Sequence, residues 1–207
     1  MGSAGRRPKA PSLVRMDAMP HVFEPASSGR SKCRGCDQFI QRGDLRFGER
    51  LPNPFGDGEI TQWYHPLCAA YKRPEPVLQA LRAAPQNVPD PGGLECAALG
   101  SLAHHRLPRI DGAERARSGQ AKCRSCRQQI ERGEWRIRLV FYEEGRFSPG
   151  GFVHFSCSQA YFETWDIGNQ VLHFSSALSP EEREELKREI GKARDVPARG
   201  QAARMIG

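Results

Sequence analysis

Cys33, Cys36, His65 and Cys68 form a set of metal-ligand residue types that returns ninety positions later as Cys123, Cys126, His154 and Cys157. In each copy a Cys-x-x-Cys is followed by a His-x-x-Cys, with 28 residues between the pairs in the first copy and 27 in the second. Tetrahedral zinc needs two closely spaced ligand pairs brought together from separate elements, and both copies meet that need. A Cys-x-x-Cys wraps an ion from a tight turn, while His and Cys at i and i+3 share one face of a helix's first turn. Three Cys and one His close the coordination shell, so the two expected Zn²⁺ ions, one per quartet, are structural rather than catalytic. Redox chemistry or accidental spacing would be serious competitors for a single Cys-x-x-Cys, but not for two complete quartets in a repeated frame.

The energetic argument agrees. With 38% hydrophobic and 8% aromatic residues, 207 residues are lean for two well-filled cores. Structural zinc contributes on the order of 10 kcal/mol of folding free energy, comparable with the net stability of a whole domain. The chain has seven cysteines and no segment with secretory features. Reducing compartments disfavour disulfides, so metal ligation is the expected use of the thiols. Cys96 falls outside both quartets and is expected to be a small buried hydrophobe. His21, His104, His105 and His173 lack ligand spacing and are expected to be surface or core residues. No window approaches the roughly 20 apolar residues of a membrane span, which sets the expectation of a soluble intracellular protein: nucleoid or cytoplasm for a bacterial chain, nucleus for a eukaryotic one.

The repeat extends beyond the ligands. Residues 28–46 and 118–136 agree at eleven of nineteen positions, and each copy continues with a strand-like run, a Gly-rich turn, an aromatic and the His-x-x-Cys. "LRFGERL", "PNPFGDG" and "EITQWYH" play these parts first, then "WRIRLVFYEE", "GRFSPGG" and "FVH". The fold expected is α+β, with two small zinc-centred modules, each an antiparallel hairpin and a helix after the His-x-x-Cys. The expected division is a disordered basic tail over 1–19, the first module over 20–73, a Pro/Gly-rich but partly helical linker over 74–109, the second module over 110–178, a helix over 179–195 and a tail over 196–207. In the last helix Ser179, Pro180 and Glu182 form a capping-box start, and Leu186, Ile190 and Ala193 make a narrow apolar stripe.

With these motifs together, the sequence resembles the zinc finger of poly(ADP-ribose) polymerases, also carried by a eukaryotic DNA ligase. "SGR" or "SGQ" before the first Cys pair, "GDLR" or "GEWR" at the strand start, and "WYHPLC" or "FVHFSC" carry the resemblance over about half the chain. It implies recognition of DNA strand breaks through backbone contacts and stacking on an exposed end. It also puts forward Arg30 and Arg46 as backbone contacts and Phe55 and Ile60 as stacking residues. The charge pattern fits this from an independent side. The net charge is +7, and residues 28–74 carry eight basic and five acidic groups against seven and six over 118–166. Arg30, Lys32, Arg34 and Arg46 surround the first ligand pair, where guanidinium groups suit bidentate phosphate contacts. Lys122, Arg124 and Arg136 are the corresponding, weaker candidates. Gln120 stands where the first copy has Arg30, so the second module is expected to assist, with Phe147 and Phe152 as stacking candidates.

The function expected is therefore a non-enzymatic, zinc-dependent protein that binds DNA nicks, gaps or ends in damage sensing or repair. A separate repair enzyme is a further expected partner, with neither a membrane nor a small-molecule substrate. The alternative is a zinc-stabilised adaptor whose fingers and C-terminal helix bind protein. No catalytic triad, carboxylate cluster or phosphate loop is legible, which sets the expectation that the chain is not an enzyme.

Overall fold

A computed structural model describes residues 20–195. The tails expected over 1–19 and 196–207 lie outside the described residues. Each repeat builds a three-stranded antiparallel sheet in sequence order. The first uses β1 (Val22–Pro25), β2 (Leu45–Pro52) and β3 (Glu59–Tyr64); the second uses β4 (Ile110–Arg115), β5 (Trp135–Glu143) and β6 (Arg146–His154). The sequence suggests only the hairpins β2–β3 and β5–β6. The additional strands are short, and one is Pro-terminated while the other is interrupted by Gly112, so only pairing with β2 and β5 makes them strands.

Between β1 and β2, and again between β4 and β5, the chain forms one and the same knuckle. Cys33 N–H donates to Gln38 O and Asp37 N–H to Cys33 O, both at 2.8 Å; the matching pairs Cys123 to Gln128 and Arg127 to Cys123 span 2.8 and 3.0 Å. Asp37 and Arg127 occupy the same step of this turn in the left-handed region, with φ of 60° and 67°.

After β3 come α1 (Pro66–Lys72), α2 (Pro74–Ala83) and α3 (Pro91–Leu102). Val77, Leu78 and Leu81 of α2 and Leu94 and Ala98 of α3 join Phe23, Phe47 and Tyr64 in the first core. The segment between the fingers is thus packed on the first of them. Cys96 corrects the expectation of a buried hydrophobe: α3 turns Leu94, Ala98 and Ser101 inward and leaves Cys96 exposed.

The second module continues after β6 with a 3-10 turn (Phe155–Cys157), α4 (Ser158–Phe162), α5 (Gly168–His173) and α6 (Pro180–Asp195). The capping box closes α6 as expected: Glu182 N–H donates to Ser179 Oγ at 3.2 Å, and Ser179 N–H to Glu182 Oε2 at 2.9 Å. Leu186, Ile190 and Ala193 enter the second core beside Trp135, Val153 and Phe162.

The modules pack against each other through contacts with no counterpart inside either repeat. Lys72 Nζ, at the end of α1, donates to Ile110 O at 2.6 Å and pairs with Asp111 at 3.1 Å. Gln170 on α5 donates to Tyr71 O and Leu107 O, and Phe174 leaves the second module to enter the first core. Gly112 permits this approach, because it sits at φ +88° and a Cβ there would collide with the backbone carbonyl of Phe174. Among the described residues no helix is long and apolar enough to cross a membrane.

Candidate metal centres and nucleic-acid interface

The knuckle presents Cys33 and Cys36, and β3 delivers His65 to the start of α1 with Cys68 one turn on. The ligand atoms of this quartet lie within 4.8 Å of one another, and so do those of Cys123, Cys126, His154 and Cys157. In both quartets Nδ1 is the histidine atom facing the thiols. His65 Nδ1 is 3.4 Å from Cys36 Sγ and 3.9 Å from Cys68 Sγ; His154 Nδ1 is 3.5 Å from Cys126 and 3.8 Å from Cys157. A tetrahedron with zinc bonds of about 2.3 Å to sulfur and 2.0–2.1 Å to nitrogen has nitrogen–sulfur edges of about 3.6 Å. The quartets fit that shape, and each can bind one zinc ion.

The surroundings suit thiolates. Backbone N–H groups of Gly35 and His65 donate to Cys33 Sγ at 3.4 and 3.2 Å, and those of Ser125 and His154 to Cys123 Sγ at 3.4 and 3.5 Å. The far side of the His154 ring meets Gln129 O at 3.1 Å, which leaves Nδ1 for the metal. Hydrogen bonds from Cys36 and then Cys68 hold the Cys33 thiol down to about 3, while Cys33 and then Cys36 push Cys68 up. Burial, with the charge of Cys123 behind it, pushes Cys157 up to about 12. Three thiolates in one quartet therefore require a divalent cation among them.

One partner was not legible in the sequence. His173, at the end of α5, lies outside both quartets but places Nε2 3.1 Å from Cys68 Sγ. A separation of 105 residues carries no spacing signal; docking of the modules makes the contact. Zinc-bound Cys68 can only accept, which makes Nε2–H the donor.

With both centres in place, residues 24–88 match the family model described as the poly(ADP-ribose) polymerase and DNA-ligase Zn-finger region. Residues 24–88 carry a PARP-type zinc finger, and the second Cys/His quartet supports a second copy. The chain is 30% identical to the poly [ADP-ribose] polymerase of Sarcophaga peregrina over 151 residues, 64% of this chain and 15% of that protein. It is 26% identical to poly [ADP-ribose] polymerase 1 of Gallus gallus over 196 residues, 83% of this chain and 19% of that protein. The chain thus spans less than a fifth of the length of these relatives.

Of the residues expected at a nucleic-acid surface, Arg30, Lys32 and Arg34 are exposed and line one cleft beside the first knuckle. Phe55 is 83% exposed at the tip of the first finger's loop. Ile60 is half-buried, paired with Leu51 across the β2–β3 ladder. Arg46 and Arg136 face inward. Arg46 stacks on Trp63 with 3.5 Å from its guanidinium carbon to the ring centre, donates to Glu24 at 2.6 Å and has a side chain only 8% exposed. Arg136 repeats this over Phe152 and onto Glu114. A phosphate at either guanidinium would have to displace a carboxylate.

Lys122 and Arg124 are both exposed, and Arg124 Nε donates to Gly150 O of its own hairpin at 2.9 Å. The stacking candidates of the second finger are engaged elsewhere: Phe152 lies beneath Arg136, and Phe147 packs against the first core.

Proposed function

We propose that this protein is a non-enzymatic, zinc-dependent binder of DNA strand breaks or ends, acting in damage sensing or repair, with the first finger leading. The observation that carries the reading is Phe55. A phenylalanine 83% exposed at a loop tip serves no folding purpose, and it stands on the finger whose knuckle offers Arg30, Lys32 and Arg34. Phosphates are present on intact duplex too, so cations alone cannot recognise a break. A break additionally exposes a base-pair face, and an apolar side chain that covers it contributes roughly 1–3 kcal/mol.

Phosphate contacts are assigned to Arg30, Lys32 and Arg34, and stacking to Phe55 with Ile60 behind it. Arg46 and Arg136 are assigned to holding the sheets. The family match supports the reading, because the resemblance implies this mode of recognition. The proposal gives the chain no catalytic step; a separate repair enzyme would act on the marked site.

The test is competition between nicked, gapped or blunt-ended duplex and a closed circle of equal length, with and without a zinc chelator. The proposal expects preference for the broken DNA, lost with the metal. Equal binding to the closed circle would reduce the interaction to general charge attraction. A zinc-stabilised adaptor is the second reading, favoured by the exposed Leu99 and Leu102 on α3; it expects no preference among DNA forms.

A further inference from the structure

Gly145 and Arg146 form the tip of the second finger's hairpin, yet they sit against the first finger. Gln62 Nε2 on β3 donates to Gly145 O at 2.6 Å, and Tyr64 OH holds the other end of that amide by donating to Gln62 Oε1 at 2.9 Å. Gln62 and Tyr64 are both buried, so the anchor is fixed before any ligand arrives. Gly145 has φ +76°, and a Cβ there would lie 3.2 Å from Gln62 Nε2, so the close approach depends on glycine.

The docking sets Arg146 in the same cleft, of about 670 Å³, as Arg30, Lys32 and Arg34. Asp37, the acidic residue of the cleft, pairs with Lys32 at 3.6 Å. Among the described residues Arg30, Arg34 and Arg146 have no ion-pair partner. Four cations against one anion, three of the cations unpaired, make a site for an extended polyanion rather than for a small apolar ligand. Arg146 also borders a second depression that includes Phe55. It therefore stands between the knuckle cations and the stacking tip, with Glu143, its partner across the β5–β6 ladder, and Glu144 lining the same depression.

We infer that the second finger's hairpin completes a phosphate-binding cleft on the first finger, with Arg146 contacting the phosphodiester backbone of the strand next to the exposed base pair. This rests on the DNA-binding reading and adds to it what the second finger contributes. In the second finger's knuckle Arg124 ties its Nε to Gly150 O of its own hairpin, and what that finger adds to the cleft is the tip it lends to its neighbour.

The zinc-loaded full chain is titrated with a nicked duplex over a salt series, as wild type, Arg146→Gln, Arg188→Gln and Gln62→Leu. Arg188 is exposed on α6, outside the cleft, and controls for net charge. Arg146→Gln is expected to raise Kd about tenfold and to lower the slope of log K against log salt by about 0.9, with Arg188→Gln changing neither. Gln62→Leu removes no charge, so a smaller slope in a variant that still holds two zinc ions supports the docking role directly. Arg146→Gln indistinguishable from Arg188→Gln, while wild type still binds, would overturn this inference alone. Wild type that binds no duplex would remove the DNA reading and the inference with it.

Discussion

In the first finger residues 53–58 connect β2 to β3 as an open loop that pushes Phe55 into solvent; in the second, Glu144 and Gly145 alone connect β5 to β6, with φ of 49° and 76°. Positive φ at both turn residues matches the twist of the flanking strands, so β5 and β6 continue as a stiff ribbon to its end. Beneath these tips the two fingers are the same object: the same knuckle hydrogen bonds, the same Nδ1 facing the thiols, the same inward arginine stacked on a β-strand aromatic and paired with a carboxylate of the outer strand. Because metal and core fix the base of each hairpin, its tip is free of folding duty. One tip is left open and the other is spent on docking.

The sharpest way to break the comparison is through the metal. Cys36→Ala should leave one zinc per chain and unfold the first finger, a loss on the order of 10 kcal/mol, while hydrogen exchange still protects β5 and β6, whose core includes α6. A well-folded Cys36→Ala chain would remove the structural role assigned to zinc. Next in size is an exchange of roles between two phenylalanines. Phe55→Ala should leave thermal stability unchanged and cut the preference for nicked over closed duplex by roughly 1–3 kcal/mol. Phe152→Ala should do the reverse, costing about 1–2 kcal/mol of stability through the lost Arg136 stack with the preference intact.

Smaller again, Arg30→Ala should weaken binding by about 1–2 kcal/mol without unfolding, whereas Gln120→Ala, at the same place in the second knuckle, should weaken it little. Fluorescence anisotropy on one nicked duplex compares the two directly.

The smallest effect concerns the seam. Burial lowers the pKa of Lys72 from the ordinary 10.5, against the opposing pull of Asp111. The unfolded chain then binds more protons in the window between the folded value and 10.5, so stability should rise as pH rises through that window and fall as pH falls through it. Thermal melts across this range should show the rise in wild type and a flatter profile in Lys72→Met.

The ligand quartets, the hairpins, the capped α6 and the cations around the first knuckle were legible because each depends on residues close in sequence or on a repeated frame. Zinc chemistry tolerates few ligand spacings, and a period of ninety repeats them. Strands β1 and β4 were not legible, since four to six residues of mixed character become strands only when a neighbour supplies the ladder. Nor were the inward turn of Arg46 and Arg136, the exposure of Cys96, or the partners His173–Cys68 and Gln62–Gly145, separated by 105 and 83 residues. Spacing and residue chemistry, properties of the chain itself, therefore determined what each finger is. Which arginines face solvent and which tip reaches the neighbouring finger are matters of packing between distant segments, and only the tertiary structure decided them.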